Sequence, residues 1–152
     1  MGVSPDIWGP STWAFLHLMP FAEEEPLQTS RLTYYQQLYQ LLTNLLPCQK
    51  CREHLQQNLA KMEPITGPSI TTKKDLFLWT SKLHNHVNQL HGKKEYPLDE
   101  TYAYWKKIAE GKMDLKGVPC SFVYWKYATI FLLLIVIFFS LRSLRGRGRR
   151  RY

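Results

Sequence analysis

The sequence predicts an all-α protein: a four-helix bundle closed by a short fifth helix, followed by one transmembrane helix. Through the first 121 positions apolar residues recur at spacings of three and four rather than two. Proline and glycine fall between these periodic segments, and residues 122–141 form an almost uninterrupted apolar run. A length of 152 residues suits one compact domain with an appendage and excludes a multidomain enzyme. Apolar residues make up 45%, with five Trp, nine Tyr and seven Phe, enough to pack a core and too many for a disordered chain.

The first helix is expected from about Asp6 to Phe21, its apolar stripe running through Trp13, Leu16 and Met19 or Pro20. After the Glu23-Glu24-Glu25-Pro26 loop, a second begins near Thr29 and carries Leu32, Tyr35, Leu38, Tyr39, Leu42 and Leu46. Pro47 stops it and opens a third, from Cys48 to about Met62, with Cys51, Leu55 and Leu59 at helical spacing. A loop over residues 63–70 follows. Thr72 with Asp75 three residues later resembles a capping box, and the fourth helix continues through Leu76, Trp79, Leu83, Val87 and Leu90 until Gly92. A short fifth from about Leu98 to Glu110 completes a small bundle without internal repeats.

The formal charge of +8 looks at first like a nucleic-acid signal. Seven cations and no acids fall after residue 121, which leaves thirteen cations against twelve acids before it. The globular part is nearly neutral, and no specific nucleic-acid partner is expected. From Phe122 to Leu141, twenty residues include only Lys126 as a charge, about the length of a membrane-spanning helix. Tyr124, Trp125 and Tyr127 suit one interfacial belt, Lys126 can snorkel, and Arg142, Arg145, Arg147, Arg149, Arg150 and Arg151 mark the other boundary. A buried core helix is the alternative, and it leaves those flanks unexplained. The expected division is 1–112 for the globular domain, 113–121 for a linker, 122–141 for the membrane helix and 142–152 for an Arg-rich tail. That tail reads as a stop-transfer flank, with contact to phosphates of lipid or nucleic acid as the other possibility.

Orientation is contested by two rules. Arginine bias places the tail in the cytosol and the bundle across the membrane, whereas a chain without an N-terminal secretory signal leaves its bundle in the cytosol. The second reading is adopted, as a single-pass anchor in a host or virion membrane with a cytosol-facing domain. Myristoylation of Gly2 is set aside because position 6 is Asp rather than Ser or Thr.

Chemistry concentrates in Cys48-Gln49-Lys50-Cys51, directly after a proline and at a predicted helix start. Free N–H groups and the helix dipole there favour a thiolate, Lys50 and Arg52 add positive charge, and the spacing lets the two sulfurs bond to each other. Such a pair can accept electrons from a substrate dithiol by exchange. Two bland readings stand beside this one: ordinary buried cysteines, and half of a zinc site. Zinc draws on His54, which extends the spacing to C-x-x-C-x-x-H, and on His84, His86 and His91 downstream. No second cysteine pair appears, and His84 and His86, two apart, point to different helical faces.

A wider pattern joins these residues: Trp8-Gly9-Pro10 with Trp13, Leu16 and His17, then Pro47-Cys48-x-x-Cys51, then Trp79 with His84-Asn85-x-Val87-Asn88, then Gly92-Lys93 and Tyr96. In order and separation it resembles the ERV/ALR flavin-linked sulfhydryl oxidases, especially the short versions of large eukaryotic DNA viruses, over about residues 6–110. The resemblance implies a bundle holding FAD at its mouth, and a thiol oxidase that forms disulfides in partner proteins. Electrons would pass from the pair to FAD and then to O2, giving H2O2. It implies Cys51 as the sulfur that meets flavin carbon 4a, and Cys48 as the one that exchanges with substrate. Cofactor contacts carry over to Gly9, Trp13, His17, Cys51, His84, Asn85, Val87, Asn88, Lys93, Tyr96 and Trp105. His84, Asn85 and Asn88 would grip adenine, ribose and ring edge, Lys93 would pair with the pyrophosphate, and Tyr96 and Trp105 would pack near the adenine. A homodimer through the first two helices is likewise implied. Trp8 is assigned to core packing, His86 and His91 to exposed surface, and His54 to no function.

The departures from the family are specific. Leu46 stands where many relatives have Tyr before Pro-Cys, and Ser81 and Leu98 stand where many carry a structural disulfide. Cys120 is the only other cysteine, so no second pair exists to shuttle electrons within the chain. A partner's thiols, for instance those of a small thioredoxin-like protein, are the expected source. Cys120 itself reads as an inert thiol, with palmitoylation or an intermolecular disulfide as alternatives. The competing functional class is a zinc-stabilised, membrane-anchored adaptor with structural cysteines.

Overall fold

A computed structural model describes residues 2–115 together with Phe131 and Leu134. Apart from those two positions, the expected membrane helix lies outside the described residues, as do Cys120 and the Arg-rich tail. Among the described residues no helix is long and apolar enough to cross a membrane. The chain divides into Met1–Gly117 and Val118–Tyr152. The first part holds five helices and, among the described residues, no strand: α1 Pro5–Leu18, α2 Thr29–Leu45, α3 Gln49–Lys61, α4 Lys73–Leu90 and α5 Leu98–Ala109.

α1 stops earlier than the periodicity predicts. Pro20 has no N–H to bond the carbonyl four residues back, so the chain tightens into a 3₁₀ turn over Met19–Ala22 with Pro20 buried. The start of α4 follows the expected pattern in full. Asp75 N–H donates to Thr72 Oγ1 at 3.1 Å, and Thr72 N–H donates back to Asp75 Oδ2 at 2.8 Å. At its other end Gly92 takes φ +62°, a left-handed conformation that suits glycine. Gly92 N–H then donates to Gln89 carbonyl and Lys93 N–H to Asn88 carbonyl, a Schellman closure that folds Lys93 back over the helix end.

α4 is the hub. It packs against α1, α3, α5 and the 3₁₀ turn, while α2 pairs with α3. Leu76, Phe77, Thr80 and Leu83 on α4 are wholly removed from solvent. Around them gather Leu16 of α1, Leu32, Tyr35 and Tyr39 of α2, and Leu55 of α3. Each such Leu or Phe contributes about 1.5–3 kcal/mol of transfer free energy, which holds the helices together. The loop before α4 is more than a spacer, because its Ile65 and Ile70 plug the same core. Trp79 fastens it further by donating its indole N–H to the Glu63 carbonyl at 2.8 Å.

Two buried polar clusters in the core are fully partnered. Tyr39 Oη and Thr80 Oγ1 share a buried hydrogen bond of 2.9 Å between α2 and α4. Glu23, buried just after the 3₁₀ turn, receives a fork from Arg31 at 2.7 and 2.9 Å and the Tyr35 hydroxyl at 2.9 Å. Hydrogen bonds from Arg31, and then Tyr35, outweigh burial and hold the Glu23 carboxyl below its ordinary range. Its stabilising contribution is therefore present above the unfolded carboxylate range and is lost as pH falls through the lower folded value. We expect Glu23→Gln to lower the unfolding midpoint at neutral pH and to shrink the loss of stability on acidification below about pH 4.5, read by thermal unfolding across pH.

Candidate redox and cofactor site

The Cys-x-x-Cys segment is built from the start of α3. Cys48 is the N-cap, with an extended backbone, and its Sγ accepts the Cys51 N–H at 3.2 Å. That places a sulfur where a Ser or Asp oxygen ordinarily satisfies the first free N–H groups of a helix. The two cysteines are bonded as a disulfide with Cα atoms 5.2 Å apart, and both are half-buried. The turn leading into them is tied down as well. Arg52 donates to the Leu46 carbonyl at 2.6 Å, and Val3 N–H donates to the Pro47 carbonyl at 3.0 Å.

A second constellation lies between α1, α4 and α5. Gly9, Trp13 and His17 recur every four residues on one face of α1. Trp13 stacks on His84 with ring centroids 3.9 Å apart and planes 7° from parallel. His17 Nε2 and His84 Nδ1 are hydrogen-bonded at 2.9 Å, so one donates and the other accepts. Trp105 of α5 covers His17 at 5.0 Å. Both imidazoles are held neutral. Burial, then the neighbouring His84, lowers His17 to about 3; burial, then the Lys93 charge, lowers His84 to about 4.

Asn85 uses its side chain on the chain itself. Its Nδ2 donates to the Tyr96 carbonyl at 2.9 Å and its Oδ1 accepts the Tyr96 N–H at 3.1 Å, fastening the loop after α4. Tyr96 and Lys93 are exposed, and Val87 is half-buried. Asn88 is buried on α4 one turn beyond His84, and its backbone carbonyl anchors Lys93. Trp13, His17, His84 and Trp105 thus meet directly, with the Lys93 charge felt at His84. Asn85 is linked to Tyr96 and Asn88 to Lys93, while Gly9 and Val87 share helical faces with this group.

Two side-chain placements differ from expectation. Trp8 is not core packing: it is half-exposed and donates its indole N–H to the Val3 carbonyl at 3.2 Å. His86 is half-buried rather than exposed, because α4 is covered on several sides; His91 is exposed and lies against His54, with centroids 5.9 Å apart. Sequence reasoning also missed Phe77, Phe21 and Tyr102. Phe77 lies 5.3 Å from both His17 and Tyr102, and Phe21 stacks on Tyr102 at 5.5 Å. A signal existed for Phe77, which precedes His84 by two helical turns and shares its face. Among the described residues no three His, Cys, Asp or Glu side chains gather as they would around a metal.

The residues present fit a flat heteroaromatic cofactor with a polar edge. His17 Nδ1 and Asn88 Nδ2 are buried without a partner among the described residues, a costly state that a ligand would relieve. A Cβ at Gly9 would meet nothing within 4 Å, so protein packing does not demand glycine there, whereas close approach of a ligand would. The flat faces of Trp13 and Trp105 and the cation of Lys93 supply stacking and charge for a dinucleotide.

Comparison with known proteins accords with this geometry. The sequence profile of the Erv1 / Alr family matches residues 10–107. The FAD-linked sulfhydryl oxidase of African swine fever virus is 32% identical over 120 residues, covering 75% of this chain and 97% of that protein. The chain belongs to the Erv1 / Alr family. Another relative, an FAD-linked sulfhydryl oxidase of Acanthamoeba polyphaga mimivirus, is 33% identical over 93 residues, 60% of this chain. This Erv1 / Alr chain spans 64% of the length of the mimivirus relative and 62% of one from Arabidopsis thaliana. The bundle is similar to the crystal structure of the yeast Erv1 core, with TM-score 0.59 at 18% identity, covering 75% of this chain and 90% of that one.

The folded values of His17 and His84 lie below that of a free imidazole, so protonation favours the unfolded chain. Stability held by the neutral pair is full above pH 6.5 and declines as pH falls toward about 3 and 4. We expect the thermal midpoint to start falling below pH 6.5, before carboxylates titrate, and His17→Phe to flatten that early limb.

Proposed function

We propose that this chain is an FAD-dependent thiol oxidase that forms disulfides in partner proteins. The observation that carries the proposal is the Cys48–Cys51 disulfide at the head of α3, with the sulfur of Cys48 serving as the helix cap. A substrate thiolate attacks Cys48 Sγ; the Cys48–Cys51 bond breaks, and Cys51 leaves as a thiolate. The second substrate thiol, deprotonated, attacks the sulfur joined to Cys48, and Cys48 leaves in turn. The substrate dithiol has then lost two electrons and two protons, and the pair has gained the electrons. The Cys51 N–H and the helix dipole stabilise negative charge on Cys48 as it leaves. When bound, FAD would supply the two-electron acceptor for the Cys48–Cys51 pair, with O2 as the final acceptor and H2O2 as the product.

On this reading Trp13, His17, His84, Val87, Asn88 and Trp105 hold the cofactor's rings, with Gly9 allowing close approach. Lys93 meets the pyrophosphate. Asn85 acts by fixing the loop that bears Tyr96, and Cys51 would be the sulfur that meets the flavin. The neutral His17–His84 pair adds no positive charge to the ring pocket.

The substrate is a protein dithiol, for instance on a small thioredoxin-like partner, since the chain has no second cysteine pair of its own. A homodimer through α1 and α2 is supported by the exposed Ile7, Phe15, Tyr34, Leu41 and Leu45 on those helices. Residues 122–141 form the membrane anchor. Phe131 and Leu134, helical and exposed three residues apart, accord with an apolar surround. The domain faces the cytosol on a host or virion membrane, which protease resistance of residues 1–121 in sealed vesicles would disprove.

Reconstituted with FAD, the protein is expected to be yellow and to bleach when an anaerobic dithiol is added. Cys51→Ser should keep the flavin absorbance and lose substrate-driven bleaching by about a hundredfold or more in rate, because the sulfur that passes electrons to the flavin is gone. Protein that stays colourless after reconstitution would overturn the proposal.

A further inference from the structure

The segment before α1 is fastened to the turn before the disulfide, and neither the cofactor cluster nor the bundle core requires that contact. Gly2 lies so close that a Cβ there would sit 2.6 Å from the Pro47 carbonyl oxygen and 3.1 Å from Cys48 Cα. The nearer distance is below what real Cβ atoms tolerate, and both neighbours are backbone, which cannot swing aside. Beside it, Val3 N–H donates to that same Pro47 carbonyl at 3.0 Å. Trp8, one helical turn into α1, locks the other side of Val3 by donating its indole N–H to the Val3 carbonyl at 3.2 Å. Arg52 holds the preceding carbonyl, Leu46, at 2.6 Å from within α3. The two peptides leading into Cys48 are therefore pinned from opposite directions, one by the N-terminal segment and one by α3.

We propose that Gly2, Val3 and Trp8 form a positioning strap that sets the backbone of Cys48, so that its sulfur stays in line with the Cys51 N–H. Gly2 permits the approach, Val3 makes the bond, and Trp8 is the buckle. This rests on the reading of Cys48–Cys51 as the reacting pair. The strap acts on redox balance because a hydrogen bond to a thiolate is stronger than one to a neutral disulfide sulfur. Holding Cys48 under the Cys51 N–H therefore favours the dithiol form and makes the disulfide a better oxidant. A purely structural contact would affect unfolding and leave that balance alone.

The test equilibrates the full-length, FAD-loaded chain anaerobically with reduced and oxidised glutathione, trapping free thiols with maleimide. Gly2→Val introduces the clash, Val3→Pro removes the donor without crowding position 2, and Trp8→Phe removes the buckle while keeping an aromatic ring. Gly2→Val and Val3→Pro are expected to shift the equilibrium about three- to tenfold toward the Cys48–Cys51 disulfide, with Trp8→Phe moving less in the same direction. Constants that stay unchanged in the folded variants, or move toward the dithiol, overturn the strap. Should Gly2→Val fail to fold, Val3→Pro and Trp8→Phe decide the matter alone. A parent protein whose pair equilibrates with glutathione yet passes no electrons to its flavin overturns the oxidase reading. The same constants judge the strap in that case too.

Discussion

Everything in this bundle depends on drying one face of α4. Leu76, Phe77, Thr80 and Leu83 have no contact with solvent, and α1, α3, α5 and the 3₁₀ turn are held by the surface they cover there. The constraint extends past the apolar residues, because the same helix carries His84, Asn85 and Asn88 two turns further on. A helix immobilised along its first turns presents its last turns in one register. The ring cluster of Trp13, His84, His17 and Trp105 is therefore an extension of the core, with polar atoms placed where the apolar ones end.

That continuity explains the electrostatics. Two neighbouring imidazoles share a hydrogen bond as long as one of the facing nitrogens can accept, and here burial keeps both rings neutral. Lys93 adds to the effect on His84 while staying exposed itself, because the Schellman turn at Gly92 returns the chain toward the helix end. The α4–α5 region also holds together without a disulfide at Ser81 and Leu98. Ser81 is buried, aromatic contacts from Phe77 and His17 reach Tyr102 and Trp105, and Asn85 fastens Tyr96 across the intervening loop.

Local signals are legible in the sequence, and distant contacts are not. The capping box of Thr72 and Asp75 and the glycine stop at Gly92 need only a few neighbouring residues, and both stand where predicted. Pro20 was visible, yet the stripe through Met19 masked how a proline converts the last turn of α1. His17 with His84, and Trp13 with Trp105, are linked only by the family pattern; spacing alone cannot bring α1, α4 and α5 together. Asn85 gripping a loop, Ile65 and Ile70 filling the core, and Gly2 lying on Pro47 are tertiary events without a periodic trace.

Most helices are capped by an oxygen that takes no part in any reaction. In α3 the capping atom is Cys48 Sγ, an electrophile in one oxidation state and an anion in another. Secondary structure and chemistry are thus one device at this end of the helix. A change in the oxidation state of Cys48 would alter the quality of the first turn, so amide hydrogen exchange at Cys51 would register how oxidised the pair is.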